Sequence, residues 1–414
     1  MSEPKNFINF HVLISHSPSC LNRDDQNMQK RAVFGGVERI RISSQSLKRE
    51  MRKPPENAFN YWKSALGDPS VRTRNPVKIA ELFSKELEKE YPKQVVERAA
   101  QLFLKASTNE DDIEDDAVDE IGSTPELESI KKIAVAPWVL AEIREICNVV
   151  DSVKLTEEEM TKAKEKCSKQ KGKKKQSEEV FIEKALIAKI KKALEPKKEN
   201  LVKALGTAVD VALWGRMATS GLMTSVDGSL AVAHAITTHA AQADTDWFTA
   251  VDDLVQDSGE VGAGHLDTQE FSSGVFYRYA SLNILQLQKN LGGASRDRAL
   301  EIAKHVFHML CTVVPSAKQQ SFAAHNSADF AIVSFADQPI SMANAYEQPI
   351  EKAKAGGYYK PSVEKLMEFW KSSNGFYNLQ ENAACCSKDI AIAEGLTKKK
   401  SLLDVETWIS HDGN

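Results

Sequence analysis

The chain has 414 residues, of which 42% are hydrophobic and 27% are charged, and its formal net charge is −4. It is long enough to bury the cores of two or three domains, and its net charge gives no sign of a nucleic-acid partner. No window approaches the run of about 18 apolar residues that a membrane span needs, and no apolar signal stretch opens the chain. The six cysteines lack C-x-x-C spacing, so we expect a reduced, cytoplasmic protein.

Charge is sorted along the chain, and this matters more for binding partners than the total does. Residues 21–53 hold nine Lys and Arg against four Asp and Glu. Residues 109–120 hold eight carboxylates and no base, whereas residues 162–175 hold eight lysines and one glutamate. We therefore expect an N-terminal basic cluster and two solvated loops, one acidic and one rich in lysine.

The first predicted elements are a strand, a polar loop, a second strand and a helix. Residues 7–17 (FINFHVLISHS) are apolar and β-branched, which is typical of a buried strand. In RIRIS, residues 39–43, Arg and Ile alternate, which predicts a half-buried strand with both arginines on its solvent face. Ser43 or Ser44 then caps a helix that ends near Lys53.

The rest of the chain divides into a helical part and a mixed part. Helical periodicity dominates residues 55–206, in the stretches 77–106, 135–150 and 179–195. Beyond them we predict strands at 208–218, 274–284 and 329–336, helices at 295–314 and near 361–373, and a polar segment at 219–273. Without the helical insertion, the order β, α, β, β, α, β predicts an α+β fold on the split-βαβ, ferredoxin-like plan. The open sheet face of that plan binds RNA in RNA-recognition modules.

The helix that follows RIRIS brings together groups that bind phosphate. Its N-terminus offers backbone N–H groups and a partial positive charge, and Ser43, Ser44 and Gln45 add uncharged donors. The cations that share its face or lie in the preceding loop are Arg23, Lys30, Lys48, Arg49 and Arg52. We interpret the cluster as a contact for nucleic-acid phosphates, which positions a strand without reading its bases. The alternative is a capped surface helix with solvated cations.

Two further segments carry candidate binding residues. In RMATSGLM, residues 216–223, Thr219 and Ser220 precede a glycine and form a turn that can approach another backbone closely. Met217 in the same segment is of a type found more often in a core. In DTDWFTAVDD, Trp247 and Phe248 lie between carboxylates. They are either a stacking or wedge element against bases or a small core under a long loop.

The sequence favours neither a metal site nor a catalytic site. His234 and His239 do not have the i, i+4 spacing of zinc-binding helices, so we expect ordinary hydrogen-bonded histidines and no metal or cofactor. The aromatic residues of GVFYRYAS (274–281) lack the pattern of RNA-binding sheets, so we expect them in the core. Asp24 and Asp25 lie inside the basic cluster, where they either organise the loop, which we prefer, or bind a metal for RNA cleavage.

Seven long blocks of sequence occur in order along the chain. They are FINFHVLISHSPSCLNRDDQNMQK, RISSQSLKREMRK, GRMATSG, AHAITTH, DTDWFTAVDDL, HLDTQEFSSGVFYRYA and NLGGASRDRALEIAKHV. Together they resemble the CasC family, the backbone subunits of the type I-E CRISPR Cascade complex. The resemblance covers almost the whole chain except much of the helical insertion and the tail. The acidic run and the lysine tract also look longer than is usual in this family.

The resemblance implies a hand-like protein. It places an RRM-like palm in residues 1–54, 207–218 and 274–414, a helical fingers domain in 55–206 and a β-hairpin thumb in 219–273. Copies would line up head to tail along one CRISPR RNA, grip its phosphates and displace a base at regular intervals. The guide would then pair with target DNA, and this pairing carries the sequence specificity. The other implied partners are the large, small, guide 5′-end-binding and guide-processing subunits of Cascade.

The resemblance also assigns roles to individual residues. The RNA-contacting positions of the family fall on Arg23, Lys30, Ser43, Gln45, Lys48 and Arg52. Met217 matches the residue that wedges against the guide, and Trp247, Phe248 and Thr249 match the tip of the thumb. Lysines on a fingers helix hold duplex DNA in this family, and the corresponding region contains Lys189, Lys191 and Lys192.

Three classes of function follow from these observations. The first is a non-catalytic RNA-binding scaffold, which the whole-chain resemblance favours. The second is a nuclease, because the backbone subunits of type III CRISPR complexes are similar in fold and cut target RNA with a loop aspartate. Asp24 and Asp25 are the candidates for that role. The third is a scaffold that binds DNA alone.

Overall fold

The structure is a computed structural model, and it describes residues 4–73, 75–105, 136–168, 177–217, 225–250, 265–388, 392 and 394–414. The acidic run 109–120 and the second half of the lysine tract lie outside these residues. The chain forms two compact units. The sheet unit comprises Met1–Gly67, Leu230–Leu285 and Ser295–Asn414, and the helical unit comprises Asp68–Ser229 and Gln286–Ala294.

Twelve strands, fourteen α-helices and two 3-10 helices occur in the described residues. The strands are β1 Phe7–Ser19, β2 Arg31–Phe34, β3 Val37–Ile42, β4 Val71–Thr73, β5 Ala136–Trp138, β6 Leu230–Val232, β7 Ala235–Thr237, β8 Ala243–Ala250, β9 His265–Asn283, β10 Phe330–Ala336, β11 Asn382–Ser387 and β12 Thr397–Lys399. The α-helices are α1 Ser44–Arg52, α2 Tyr61–Leu66, α3 Pro76–Glu86, α4 Lys93–Lys105, α5 Leu140–Ser152, α6 Glu157–Ser168, α7 Glu178–Leu194, α8 Lys198–Leu205, α9 Val209–Trp214, α10 Ile284–Asn290, α11 Arg296–Thr312, α12 Gln319–Phe322, α13 Tyr359–Tyr377 and α14 Leu402–Ser410. The 3-10 helices are Glu195–Lys197 and Ala343–Tyr346. None of the described helices combines the length and the apolar composition that crossing a membrane requires.

One large sheet organises the sheet unit. Its strands follow the order β12-β11-β10-β1-β9-β7-β3-β2, and β6 and β8 also pair with β9. The pairs are antiparallel, except that β11 and β12 run parallel. The ladder between β1 and β9 begins with Phe7 opposite Asn283 and runs without a shift to His16 opposite Gly274. The predicted strands 7–17, 274–284 and 329–336 are therefore confirmed and lie side by side.

Both faces of the central strands are covered. On one face, the ring of Phe10 in β1 stacks on Phe307 of α11, with the ring centroids 6.1 Å apart. On the other face, Leu13 and Tyr277 pack in one core with Trp370 of α13. Phe276, Tyr277 and Tyr279 are buried, so the aromatic residues of 274–281 belong to the core, as predicted. The open sheet face expected from the ferredoxin-like plan is closed here by α13.

Arg39 does not lie on a solvent face, and that prediction is wrong. Its side chain is fully buried, and its guanidinium donates to the carbonyl oxygens of Phe34, Thr237 and Tyr346. Arg41, two residues along the same strand, remains half-exposed. The alternation of Arg and Ile shows that the two arginines lie on the same face of the strand. It does not show that the segment around Tyr346, about 300 residues further along the chain, covers Arg39.

The helical unit confirms the predicted helices, except that Ala136–Trp138, at the start of the stretch 135–150, forms strand β5. The stretches 77–106, 135–150 and 179–195 contain α3 and α4, α5, and α7. Their apolar faces surround one core, in which the rings of Phe103 and Trp138 lie 5.1 Å apart. The lysine tract was predicted to be a loop, but its first seven residues, 162–168, form the end of α6.

The strand predicted at 208–218 is wrong, because Val209–Trp214 forms helix α9. A run with five apolar residues in six fits a buried strand and a buried helix equally well by its periodicity. The tertiary structure decides, since the Asp210 carboxylate accepts hydrogen bonds from the Ser70 backbone N–H and hydroxyl. Gly215, with φ +76°, then ends the helix.

We predict that Arg39→Leu destabilises the protein far more than Arg41→Leu. The first change leaves several buried carbonyl oxygens without a donor, at a cost of at least about 2 kcal/mol. The second removes a half-exposed side chain, with an expected effect within about 0.5 kcal/mol. Urea unfolding of both variants measures the difference. Equal shifts in the midpoint would contradict the role assigned to Arg39.

Candidate nucleic-acid interface

Helix α1 has a side-chain cap at its start and cations at its end. Ser43 is the N-cap, and the Ser46 amide donates to Ser43 Oγ at 3.2 Å. The helix ends at Arg52, where the Lys53 amide donates to the carbonyl oxygen of Arg49. Arg49 and Arg52 lie in the last turn, where cations offset the negative end of the helix dipole. The predicted capped helix is therefore confirmed.

The face of α1 that reaches solvent is narrower than predicted. Gln45 and Arg49 lie one turn apart and are exposed, and Lys48 is half-exposed. Arg52 is only 9% exposed, so the predicted stripe of donors does not continue to that residue. The reason is that five of the nine helix residues are buried.

The backbone amides at the start of α1 are largely used within the protein. The Ser43 N–H donates to Asn22 Oδ1 and the Ser44 N–H donates to His234 Nδ1, both at 2.9 Å. Within the described residues no acceptor lies in reach of the Gln45 N–H. The Ser46 N–H is also used, because it donates to Ser43 Oγ. These contacts leave one backbone donor for a phosphate, the N–H of Gln45. From the sequence we expected more of these backbone N–H groups to be free for a phosphate.

Asn22 ties the preceding loop to α1. Its carbonyl oxygen accepts the Lys30 N–H at 2.9 Å, while its side chain holds the Ser43 amide. The carbonyl oxygen of Lys30 in turn accepts the Arg41 N–H at 2.8 Å. Lys30 and Arg41 are therefore neighbours on adjacent segments, and both are half-exposed. Neither forms an ion pair with a carboxylate in the part of the chain that the structure describes.

A cavity of about 500 Å³ opens beside these two cations. Its lining residues are Asp24, Met28, Gln29, Lys30, Arg31, Arg41 and Glu270, and we call it the basic cleft. Glu270 in β9 is buried, accepts the Gln29 N–H at 2.9 Å and pairs with Arg31. Arg31 also pairs with Glu38 at 2.7 Å. The cleft is lined by three cations and two carboxylates, and because Arg31 pairs with Glu270 and Glu38, the cations left for a ligand are Lys30 and Arg41.

The two aspartates of the loop differ in their surroundings. Asp24 Oδ1 accepts the backbone N–H groups of Gln26 and Met28 at 2.9 and 3.0 Å. The Asp24 carboxylate thus organises the loop, which is the role that we preferred from the sequence. Asp25 is exposed, as is Arg23.

Trp247 lies on a two-stranded ribbon. Strands β8 and β9 pair from Ala243 opposite Ser272 to Ala250 opposite His265. Trp247 lies opposite Thr268 and is 68% exposed, which is not the exposure of a residue in a small core. The backbone of the strand continues through Phe248 and Thr249, whose side chains lie outside the described residues.

Met217 belongs to the helical unit and is 92% exposed, so the expectation that such a residue lies in a core is wrong. Thr219 and Ser220 lie outside the described residues.

The candidate DNA-binding lysines on α7 differ from one another. Lys189 donates to the carbonyl oxygen of Lys154 at 2.9 Å and to the Glu159 carboxylate at 2.6 Å. This hydrogen bond holds the pKa of Glu159 down at about 2. Lys191 and Lys192 are exposed. The charge of Lys189 is therefore matched within the chain.

His234 and His239 are hydrogen-bonded histidines, as predicted. His239 is buried, stacks on Tyr358 with the ring centroids 3.7 Å apart, and places Nδ1 2.9 Å from the Ala240 carbonyl oxygen. Burial lowers the pKa of His239. Within the described residues, no three His, Cys, Asp or Glu side chains form a group that could hold a metal ion.

The sequence analysis missed the organising role of three residues. Asn22, His234 and Glu270 each hold a backbone amide of the loop or of α1. Asn22 and Glu270 lie in predicted loop or polar segments and carry no motif of their own. For His234, the HAITTH motif drew attention to the residue but not to its partner.

Three comparisons relate the chain to known proteins. The family model for CT1975-like proteins matches residues 8–408. A chain of a solved CRISPR RNA-guided surveillance complex, pre-nicking, is 26% identical, with a TM-score of 0.70 over 99% of this chain and 100% of that one. A chain of another solved CRISPR RNA-guided surveillance complex has the same fold, with 20% identity and a TM-score of 0.54 over 98% of this chain and 99% of that one. No curated protein matches the sequence.

We predict that His234 makes the stability of the protein depend on pH. Partial desolvation and the nearby charge of Arg41 lower the pKa of His234 below its ordinary value of 6.5, although the residue is exposed. The folded state therefore binds this proton less readily than the unfolded chain, so the stabilising contribution is present above pH 6.5 and is lost as the pH falls below it. His234→Gln keeps an acceptor for the Ser44 amide but does not titrate.

Urea unfolding at neutral and at acidic pH checks this prediction. The stability of the wild type relative to His234→Gln should fall on acidification. The matched control is His325→Gln, which changes a second exposed histidine that lies outside the contact with α1. A difference between wild type and His234→Gln that stays constant with pH would contradict the assignment.

Proposed function

Because the chain belongs to the CT1975-like protein family, we propose that it is a non-catalytic, CRISPR RNA-binding backbone subunit of a surveillance complex. The observation that carries the proposal is the likeness, along 99% of this chain, to a chain of an RNA-guided surveillance complex at 26% identity. Within this class we propose the type I-E Cascade kind, on the seven sequence blocks that resemble CasC.

The sheet unit supports an RRM-like palm. Its elements β1, α1, β7, β9, α11 and β10 follow the order β, α, β, β, α, β. The strands β10, β1, β9 and β7 are neighbours in that order in the sheet. In this proposal β7 takes the place of the palm strand that we predicted at 208–218. The helical unit corresponds to the fingers, and the ribbon of β8 and β9 corresponds to the thumb.

The guide RNA runs along the basic cleft and the start of α1. Lys30 and Arg41 supply positive charge in the cleft, and Asn22 joins that segment to the amide of Ser43. The exposed Gln45 and Arg49 continue the surface along α1. These groups contact phosphates and carry no base readout, which suits a subunit that holds guides of any sequence.

Copies of the chain line up head to tail along one RNA. Trp247 on the ribbon and Met217 on the helical unit displace bases, and both are among the most exposed large apolar side chains described. Base pairing with target DNA supplies the sequence specificity, and Lys191 and Lys192 are available for the DNA backbone. The remaining partners are the other Cascade subunits, and the assembly acts in the cytoplasm in antiviral defence.

We predict that Lys30→Ala combined with Arg49→Ala weakens the retention of RNA and flattens its dependence on salt. Each lost phosphate contact on single-stranded RNA reduces the slope of log affinity against log salt by roughly 0.7. The measurement is an RNA-binding titration at several salt concentrations. Lys365→Ala with Lys371→Ala removes two charges from α13 and is the matched control. A slope equal to that of the control would exclude the cleft and α1 from the phosphate path.

We predict no metal-dependent cleavage of RNA complementary to the guide. Oδ1 of Asp24 accepts two loop amides, which favours a structural role. The assay incubates the assembled complex with magnesium and either a complementary or an unrelated RNA. Cleavage of the complementary RNA that disappears in Asp24→Ala or Asp25→Ala would instead establish a type III-like backbone subunit.

A further inference from the structure

An ion pair without solvent access lies directly beside the most exposed large apolar side chain among the described residues. Arg216 Nη1 and Nη2 donate to Glu142 Oε2 and Oε1 at 2.6 and 2.8 Å, and both side chains are fully buried. The next residue, Met217, is 92% exposed. The chain therefore passes from full burial to full exposure within one residue.

The backbone around this pair is clamped. The Arg216 N–H donates to the Val226 carbonyl oxygen at 2.9 Å, and the Val226 N–H donates back at 2.8 Å. A Cβ atom on Gly215 would lie 2.6 Å from that same Val226 oxygen, and one on Gly228 would lie 2.9 Å from the Leu213 oxygen. Neither glycine can be replaced without moving backbone, so the two segments cross as closely as their main chains permit.

Stability alone does not account for the buried pair. Burial raises the pKa of Glu142, although the hydrogen bonds and charge of Arg216 act in the opposite direction. Replacing both members of a buried ion pair with apolar residues is often neutral or stabilising, whereas removing one member leaves an unmatched charge. The bidentate geometry does, however, fix the direction of the guanidinium, and Arg216 also lies over the ring of Phe103, 6.0 Å from its centroid.

We infer that Arg216 and Glu142 form a positioning pair that sets the direction in which Met217 projects. The inference rests on the proposed function, in which Met217 contacts an unstacked base of the guide RNA. A thioether side chain that projects from rigid backbone loses less conformational freedom when it contacts a nucleobase. The ion pair anchors the backbone at Arg216 to α5. The pair itself does not contact the RNA.

The first test removes both charges together with Arg216→Met and Glu142→Leu, so that neither is left unmatched. The matched control is Arg98→Met with Glu183→Leu, which deletes a bidentate pair of 3.0 and 3.1 Å between α4 and α7 of the same unit. Amide hydrogen exchange of the free chain is the readout. We expect at least tenfold faster exchange in the peptide 214–228 of the first variant, unchanged exchange in α5, and no change of peptide 214–228 in the control.

Unchanged exchange in peptide 214–228 of the first variant would overturn the inference. Equal acceleration throughout the helical unit would also overturn it, because that is the result expected of a pair that only stabilises the whole unit. Glu142→Asp is the second variant, in case the double substitution does not fold. It keeps both charges but withdraws the carboxylate by one methylene, and we expect a smaller acceleration confined to the same peptide. No acceleration in this folded variant would also overturn the inference.

The second test measures the chemical reactivity of the RNA bases in the assembled complex. Dimethyl sulfate probing should show a periodic pattern of reactive bases in the wild type. We expect this pattern to be lost in both Met217→Ala and the apolar double variant. A pattern retained in the double variant but lost in Met217→Ala would overturn the inference. A pattern absent from the wild type would instead contradict the proposed function, and hydrogen exchange would still decide the role of the pair.

Discussion

The antiparallel pairing of β9 is the constraint on which the rest of the sheet unit depends. This 19-residue strand pairs with β1 inside the covered sheet and with β8 in the exposed ribbon. Because side chains alternate between the two faces, a slip of one residue would turn every side chain of β9 to the opposite face. The register therefore sets the core position of Tyr277, the contact of Glu270 with the basic loop and the place of Trp247 opposite Thr268.

Positive charge has two separate uses in this protein. Arg39, Arg216 and Arg278 are buried and satisfy internal acceptors, which suits the planar fork of the guanidinium. Arg278 donates to two carbonyl groups at the C-terminal end of α11, and burial lowers its pKa to about 10, which leaves it charged at neutral pH. Lys30 and Arg49 reach solvent and carry the charge that we assign to phosphate binding. Local charge counts do not separate these two uses.

Candidate RNA-facing groups in both units stand next to polar anchors, of which Glu270 and Glu142 are buried. In the sheet unit, Asn22 and Glu270 hold the loop that carries Lys30. In the helical unit, Glu142 holds the residue that precedes Met217. Such anchors pre-organise a binding surface and reduce the entropy that is lost when a flexible strand of RNA binds. In the function that we propose, the chain recognises shape and charge and performs no chemistry, and this rigidity serves that role.

The sequence by itself determined the central strands, the long helices and the helix caps. A continuous apolar, β-branched run identified β1, and the pair Ser43 and Ser44 was recognisable as the start of α1, where the Ser43 side chain accepts the amide three residues ahead. The cationic cluster was also evident from spacing alone. These features are local, so the information that specifies them lies within a few residues of chain.

Only the tertiary structure decided which faces are covered and which groups meet. Arg39 and Arg52 are buried, α9 replaces a predicted strand, and the amide of Ser44 is held by His234, which lies 190 residues away. Periodicity shows which side chains share a face, but the segment that packs on that face comes from a distant part of the chain. A short apolar run satisfies a strand and a helix alike until its neighbours are in place.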